Sequence, residues 1–117
     1  MNDRFKFRVW DSSANAYVPR SQFILLSDGT LIQEIGGEEV IWESTQPEFC
    51  TGLKDKNGKL IYEGDIVKTH GHGKNCVVFW NEQEFDRKTA ENTVHFLWHN
   101  LCEVIGNIHE NPELSEV

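Results

Sequence analysis

Residues 51–67 read TGLKDKNGKLIYEGDIV, and this stretch decides the fold class because two β-prone runs flank a cluster of turn residues. Asp55 suits the first position of a type I turn, and Gly58 can adopt the left-handed conformation that follows such a turn. A tight turn built on Asn-Gly is the competing interpretation. The first register pairs Leu53 with Ile61, and the second pairs Leu53 with Tyr62. Both registers predict a β-hairpin.

The first residues show the period of a strand. Residues 4–9 alternate polar and apolar side chains, which places Phe5, Phe7 and Val9 on one face of a half-buried strand. The segment that follows is rich in Asp, Ser and Asn and predicts a turn. Residues 16–18 then form a short return strand.

The rest of the N-terminal half is a series of short apolar runs separated by turn residues. Residues 23–26 and 31–32 are joined through Asp-Gly, which is a strong signal for a hairpin. A pair of glycines breaks the chain again before residues 40–42. This half of the chain is therefore predicted to form a β-meander.

The C-terminal half continues with strand-like runs. Residues 76–80 are continuously apolar, as in a strand buried on both faces, and residues 102–105 return to strand character. Residues 81–92 are strongly polar, so a surface loop and a short helix both fit them. Pro112 is expected to end the ordered pattern.

These patterns predict a mainly β fold, with some α structure admitted. No stretch has the apolar spacing of a long amphipathic helix, whereas about seven to nine short strand-like runs are separated by turn residues. A small barrel or barrel-like sheet is the preferred architecture. The 117 residues are expected to form a single domain, 1–117, with a break near Pro47 that separates sub-halves 1–46 and 47–117.

The charge of the chain argues against several classes of partner. Nineteen acidic residues against 11 Lys and Arg give a net charge of −8, so nucleic-acid binding is disfavoured. The alternative is a nucleic-acid module that uses a basic strand at Arg4, Lys6 and Arg8.

No apolar run in the sequence is long enough for a membrane helix. Three cysteines without a C-x-x-C pair suggest a reduced, cytoplasmic location rather than a disulfide framework.

A group of histidines and cysteines suggests metal chemistry, because imidazole and thiolate are the usual zinc ligands. His70 and His72 are two residues apart, and a metal-dependent hydrolase that uses them is the enzyme alternative. The interpretation as a glycine-rich hairpin tip is preferred because a second ligand pair is absent or requires distant histidines. We therefore assign no catalytic, cofactor-binding or metal-ligating residue and expect no cofactor. The residues considered with this pair are Cys76, His95, His99 and Cys102.

Four tryptophans are many for this length, and each lies at or near the end of an apolar run. They either fill the core of a small barrel or anchor a protein interface, where tryptophan is enriched. The four are Trp10, Trp42, Trp80 and Trp98.

Three segments resemble the YopX family of small proteins from temperate phages and prophages. They are KFRVWD at residues 6–11, the whole of residues 51–67, and VIGNIHENPEL at residues 104–114. The resemblance implies a β-rich fold with a small SH3-like barrel element in the C-terminal half, and expression in the cytoplasm of the bacterial host. It supplies no catalytic residue.

The expected function is that of a non-enzymatic phage accessory protein. The lack of a catalytic motif, the acidic charge and the surplus of apolar aromatic residues favour a homo-oligomer that binds a host or phage protein.

Overall fold

The computed structural model of the chain describes residues 3–19, 22–43, 45–69, 75–80, 85–88, 93–94 and 101–116. The chain forms two compact units, one made of Met1–Phe7 with Glu48–Val117 and the other of Arg8–Pro47. Short 3₁₀ helices lie at Asp3–Phe5 and Pro112–Glu116. The strands are β1 (Phe7–Arg8), β2 (Trp10–Asp11), β3 (Ala16–Tyr17), β4 (Phe23–Leu25), β5 (Leu31–Ile35), β6 (Glu38–Ile41), β7 (Glu48–Lys54), β8 (Leu60–Tyr62), β9 (Asp65–Thr69), β10 (Asn75–Trp80), β11 (Phe85–Lys88), β12 (Thr93–Val94) and β13 (Cys102–Asn107).

The unit that holds the C-terminal strands has an antiparallel five-stranded sheet in the order β12-β11-β10-β9-β13. A second sheet has the order β1-β7-β8. The core contains side chains from strands β8, β9, β10 and β13, and Leu53 and Val104 pack against it. Its fully buried members are Ile61, Val67, Cys76, Val78 and Cys102. The predicted strand at residues 76–80 is confirmed, but only Cys76 and Val78 on one face are fully buried, and Val77 and Phe79 on the other are half-buried.

The hairpin of β7 and β8 follows the first of the two predicted registers. Lys54 pairs with Leu60, and the Gly58 N–H donates to the Asp55 carbonyl at 3.0 Å to close the turn. Gly58 has φ +82°, a conformation that costs a residue with a Cβ atom about 1 kcal/mol or more. A bulge shifts the register between Cys50 and Lys54.

The unit formed by Arg8–Pro47 contains the predicted meander, which is confirmed as the antiparallel sheet β4-β5-β6. The β4–β5 turn is stabilised locally, because the Asp28 carboxylate accepts the Thr30 N–H at 2.9 Å and Gly29 has φ +91°. A separate hairpin pairs β2 with β3. Asp11 orders its turn by accepting the Ser13 and Ala14 N–H groups at 2.9 and 3.2 Å.

The mainly β class is confirmed, but the described strands form open sheets and none closes into a barrel. Closure of the five-stranded sheet requires its two edge strands to pair, and β12 and β13 lie at opposite edges. The SH3-like barrel element is therefore not seen as a closed barrel in the described part of the chain.

Three local predictions are corrected. The strand expected over residues 4–9 begins only at Phe7, because Asp3–Phe5 turns into a 3₁₀ helix that the Lys6–Asp3 ion pair closes at 2.9 Å. Within residues 81–92 the described part, Phe85–Lys88, is a strand paired with β10, because cross-strand pairing outweighs local polarity. Pro112 starts a 3₁₀ helix, where its missing N–H is harmless.

Candidate interaction surface

A row of isoleucines crosses one face of the β4-β5-β6 sheet. Ile24 lies opposite Ile32, and Ile32 lies opposite Ile41, so the three side chains share a face. Ile24 is 41% exposed and Ile41 is 57% exposed, with Ile32 half-buried between them. We call these three residues the outer isoleucine row. Side chains of this kind normally lie in a core, so an uncovered row is a candidate contact surface.

The hydrogen-bond pattern fixes which side chains lie closest. The Trp42 N–H donates to the Leu31 carbonyl at 2.8 Å, so Leu31 and Trp42 form a hydrogen-bonded pair. Because the two kinds of pair alternate along an antiparallel ladder, Ile32 and Ile41 form a non-hydrogen-bonded pair, in which side chains approach more closely. The row is therefore a continuous apolar strip.

The opposite face of the same sheet is consolidated by aromatic side chains. Trp42 donates its Nε1–H to Gln33 Oε1 at 3.0 Å and lies edge-on to Phe23, with ring centroids 5.9 Å apart. Gln33 and Leu31 are buried on this face. The hydrogen bond satisfies the buried amide oxygen and fixes the Trp42 ring. The centre of this face is therefore packed, whereas Ile35 and Val40, nearer the turn between β5 and β6, are exposed.

The surroundings of the row are acidic. Glu34 and Glu39 lie directly opposite each other on the isoleucine face, and both are exposed. Like charges at directly opposed positions repel and destabilise a sheet. Residues 22–47 contain no Lys, Arg or His to neutralise them. The carboxylates in this range are Asp28, Glu34, Glu38, Glu39 and Glu43.

An open depression of about 630 Å³ adjoins the end of the row. Ile41, Trp42 and Glu43 line one part of it, and the β4–β5 turn at Asp28 and Gly29 lines another. Apolar and acidic groups therefore continue from the row onto this surface.

The two tryptophans whose side chains are described contact residues of their own unit, since Trp42 bonds to Gln33 and Trp10 contacts Tyr17. Trp10 packs edge-on against Tyr17 with ring centroids 5.0 Å apart, and both Trp10 and Trp42 are half-buried. The side chain of Trp80 and the whole of Trp98 lie outside the described residues. The isoleucine row could not be predicted from the sequence because residues 23–26 and 40–42 are continuously apolar, so the pattern does not show which face is covered.

The three basic residues proposed for nucleic-acid binding contact the protein itself. Arg4 Nη1 donates to the Cys50 carbonyl at 3.4 Å, and Lys6 pairs with Asp3. The Arg8 guanidinium lies 4.5 Å from the centroid of the Tyr17 ring, which is a cation–π contact. Their guanidinium and ammonium groups are already engaged.

The residues considered for metal binding fall into two groups. His70, His72, His95 and His99 lie outside the described residues. Cys76 and Cys102 are buried together in the apolar core, which accounts for them as packing residues. Among the described residues, no group of three or more His, Cys, Asp or Glu side chains could hold a metal ion.

Cys50 is also buried, and no disulfide involves any of the three cysteines. Burial raises the pKa of the Cys50 thiol, although the Gly52 N–H that it accepts at 3.3 Å acts in the opposite direction. Cys50 is therefore a protonated, weakly nucleophilic thiol at neutral pH.

A carboxylate–imidazole pair links the start of β7 to the turn after β13. His109 Nε2 lies 2.6 Å from Glu48 Oε2, and both side chains are partly buried. The same turn is held by Asn107 Oδ1, which accepts the His109 and Glu110 N–H groups at 3.0 and 2.9 Å. These contacts tie the C-terminal segment to the β1-β7-β8 sheet, which is a structural role.

We expect Glu48→Gln to lower the free energy of unfolding by about 1 kcal/mol, because the partly buried charge-assisted contact is lost. Glu103→Gln is the matched control, since Glu103 pairs with Lys56 at 3.6 Å in an exposed position, and its effect should stay below about 0.5 kcal/mol. Urea denaturation of both variants measures the difference. Equal effects would contradict the structural role assigned to the pair.

Comparison with known proteins places this architecture in context. A model of the YopX protein family matches residues 6–116. The crystal structure of protein EF1440 from Enterococcus faecalis is similar to this chain, with 27% sequence identity and a TM-score of 0.64. The match covers 95% of this chain and 97% of that one. Among curated proteins, no match was found. In the described part of the chain, no helix has the length and apolar character needed to span a membrane.

Proposed function

The chain belongs to the YopX protein family, and from its exposed sheet we propose that it is a non-enzymatic protein-binding module that self-associates. The observation that carries the proposal is the outer isoleucine row, in which the exposed Ile24 and Ile41 flank the half-buried Ile32, whereas Leu31 and Gln33 at the centre of the other face are buried. The free energy falls when a second protein covers apolar side chains and removes them from water.

The row suits association because it is a surface of fixed shape. Its support on the opposite face, the hydrogen bond from Trp42 to Gln33, limits the rearrangement needed on binding. A second copy of the same sheet offers the same apolar strip, as a two-fold interface requires. The wider proposal is an accessory protein of phage or prophage origin that acts in the cytoplasm of the host and also binds a host or phage protein.

Self-association is tested by multi-angle light scattering over a range of concentrations. We expect a mass above the 13.5 kDa of one chain, rising with concentration. The double variant Ile24→Thr/Ile41→Thr should shift the equilibrium toward the monomer by about tenfold or more, because it removes apolar area from the row. Threonine keeps a high strand propensity, so the sheet is expected to persist.

The matched control is Ile35→Thr/Val40→Thr. Ile35 lies in β5 and Val40 in β6 of the same sheet, and they are 54% and 45% exposed on the opposite face. The control should self-associate like the unchanged protein. A protein that is monomeric at all concentrations, or a control that dissociates as much as the row variant, would overturn the assignment.

A further inference from the structure

Strand β6 lies at the edge of its sheet. Over the described residues, the strand order β4-β5-β6 leaves one side of β6 without a neighbouring strand. The hydrogen bond from the Trp42 N–H to the Leu31 carbonyl sets the alternation along the strand. Because residues 38, 40 and 42 bond inward to β5, the N–H and C=O groups of Glu39 and Ile41 point outward. An exposed edge of this kind can accept an additional strand.

The side chains along β6 define what such a strand must carry. Glu38 and Glu39 are exposed carboxylates on opposite faces of the strand, and Val40 and Ile41 are exposed apolar residues, again on opposite faces. A strand added at this edge places two of its residues beside the carboxylates and the next two beside the apolar pair. Its residue beside Glu39 also relieves the repulsion between Glu39 and Glu34 if it is cationic.

We propose that the outer edge of β6 binds an extended, cationic protein segment that adds as a fourth strand, with two adjacent basic residues facing Glu38 and Glu39 and two adjacent apolar residues facing Val40 and Ile41. This inference rests on the proposed function, because it names the partner of the same protein-binding sheet. Backbone hydrogen bonds provide the affinity, and the two residue pairs provide the selectivity.

The charge of the edge selects against a second copy as the added strand. Two β6 edges that pair bring glutamates of both copies together, without a basic side chain in residues 22–47 to separate them. Charged side chains on an edge strand are a common means of preventing self-pairing. The charge of the edge therefore favours a cationic strand over a second copy of β6.

The probe is a capped peptide with the sequence Thr-Thr-Val-Val-Lys-Lys-Thr-Thr. In antiparallel pairing, its first valine faces Ile41 and its second lysine faces Glu38. Titration is followed by the amide NMR signals of the whole protein. We expect the Glu39 and Ile41 amides to shift and to exchange hydrogen more slowly when the peptide is bound, because both become hydrogen-bonded. The isomer with alternating valine and lysine has the same composition and should bind about tenfold more weakly.

N-methylation of the peptide tests strand addition without altering the protein. The first valine and the first lysine direct their N–H groups toward β6, and the two following residues direct theirs away. Methylation of the first lysine should therefore weaken binding about tenfold or more, whereas methylation of the second lysine should leave it nearly unchanged.

The charge requirement is tested by Glu39→Lys, which should weaken peptide binding about tenfold or more while relieving the repulsion with Glu34. Glu113→Lys changes the net charge equally at an exposed site in the other unit and should have little effect. Equal loss on methylation of the two lysines, equal binding of the alternating isomer, or shifts confined to residues outside β6 would overturn the edge site.

These outcomes are separate from those of light scattering. If a strictly monomeric protein binds the peptide at β6, the edge site is supported and self-association is contradicted. If the protein is an oligomer but does not bind the peptide, self-association is supported and the edge site is contradicted.

Discussion

Replacement of Asp55 by asparagine is expected to lower the free energy of unfolding by about 3 kcal/mol. Asp55 is 6% exposed and accepts three backbone hydrogen bonds. Its Oδ1 accepts the Asn57 and Lys59 N–H groups, each at 2.9 Å, which closes the turn between β7 and β8. Its Oδ2 accepts the Val104 N–H, also at 2.9 Å, which joins this turn to β13. The single carboxylate therefore connects two sheets.

Asparagine has one acceptor oxygen, and its amide NH₂ group cannot accept a hydrogen bond. If the NH₂ group replaces Oδ2, the Val104 N–H loses its acceptor; if it replaces Oδ1, the Asn57 and Lys59 N–H groups lose theirs. Each lost bond to a charged group in this buried place costs about 1.5 to 3 kcal/mol. Asp28→Asn is the matched control, because Asp28 accepts the Thr30 N–H in an exposed turn that water can satisfy. Urea unfolding of both variants measures the contrast, and a similar small loss in both would contradict the assigned role.

The same carboxylate predicts a pH dependence. Burial acts to raise the pKa of Asp55, but the Val104, Lys59 and Asn57 N–H groups outweigh it and hold the pKa below its usual value. A group whose pKa is lower in the folded state adds stability at pH values above its unfolded pKa, near 3.9, and loses it as the pH falls through the folded pKa. Asp55→Asn should therefore weaken the dependence of unfolding free energy on pH below about 4. An unchanged slope in this range would contradict the prediction.

The hairpin at residues 51–67 and the meander could be predicted because their signals are local. Gly58 and Gly29 both have positive φ in turns, and Asp55 and Asp28 accept backbone N–H groups within a few residues. The register of β7 and β8 was left open by the sequence because both turn types suit an Asp-Lys-Asn-Gly segment. The hydrogen bond from Val104 to Asp55, 49 residues apart, supports the observed turn in a way that no local pattern indicates.

The candidate surface could be predicted only in part. The acidic range of residues 22–47 can be read directly from the sequence, whereas the strand register that places Ile24, Ile32 and Ile41 on one face cannot. The sequence does not show which face is covered, because Phe23 and Trp42 on the other face are equally apolar. The hydrogen bond between Trp42 and Gln33 shows that the centre of the other face is packed, and this contact depends on strand pairing. The strand predicted over residues 4–9 begins only at Phe7, because the 3₁₀ turn of Asp3–Phe5 precedes it.

Replacement of Gly64 by alanine is expected to lower the free energy of unfolding by about 2 to 3 kcal/mol, for two separate reasons. Gly64 is buried with φ +86°, where a residue with a Cβ atom is strained by about 1 to 2 kcal/mol. Its added Cβ would also lie 3.1 Å from Glu48 Oε2, the oxygen that contacts His109.

Gly58→Ala separates the two reasons. Gly58 has φ +82°, and nothing lies within 4 Å of the position that its Cβ would occupy, so this variant measures the backbone strain alone. The difference between the two variants in urea unfolding should be about 1 kcal/mol, because only the Gly64 change pushes the Glu48 carboxylate away from its imidazole partner. That difference should shrink when both glycine variants are made in a Glu48→Gln background, since neighbouring substitutions are non-additive when they share a contact.

Gly64 also donates its N–H to the Val78 carbonyl and accepts the Ile108 N–H, at 3.0 and 2.9 Å. Gly64 therefore cannot shift without breaking the hydrogen bonds that link it to β10 and to the residue after β13. Equal losses at Gly58 and Gly64 would show that the close approach of Glu48 contributes nothing.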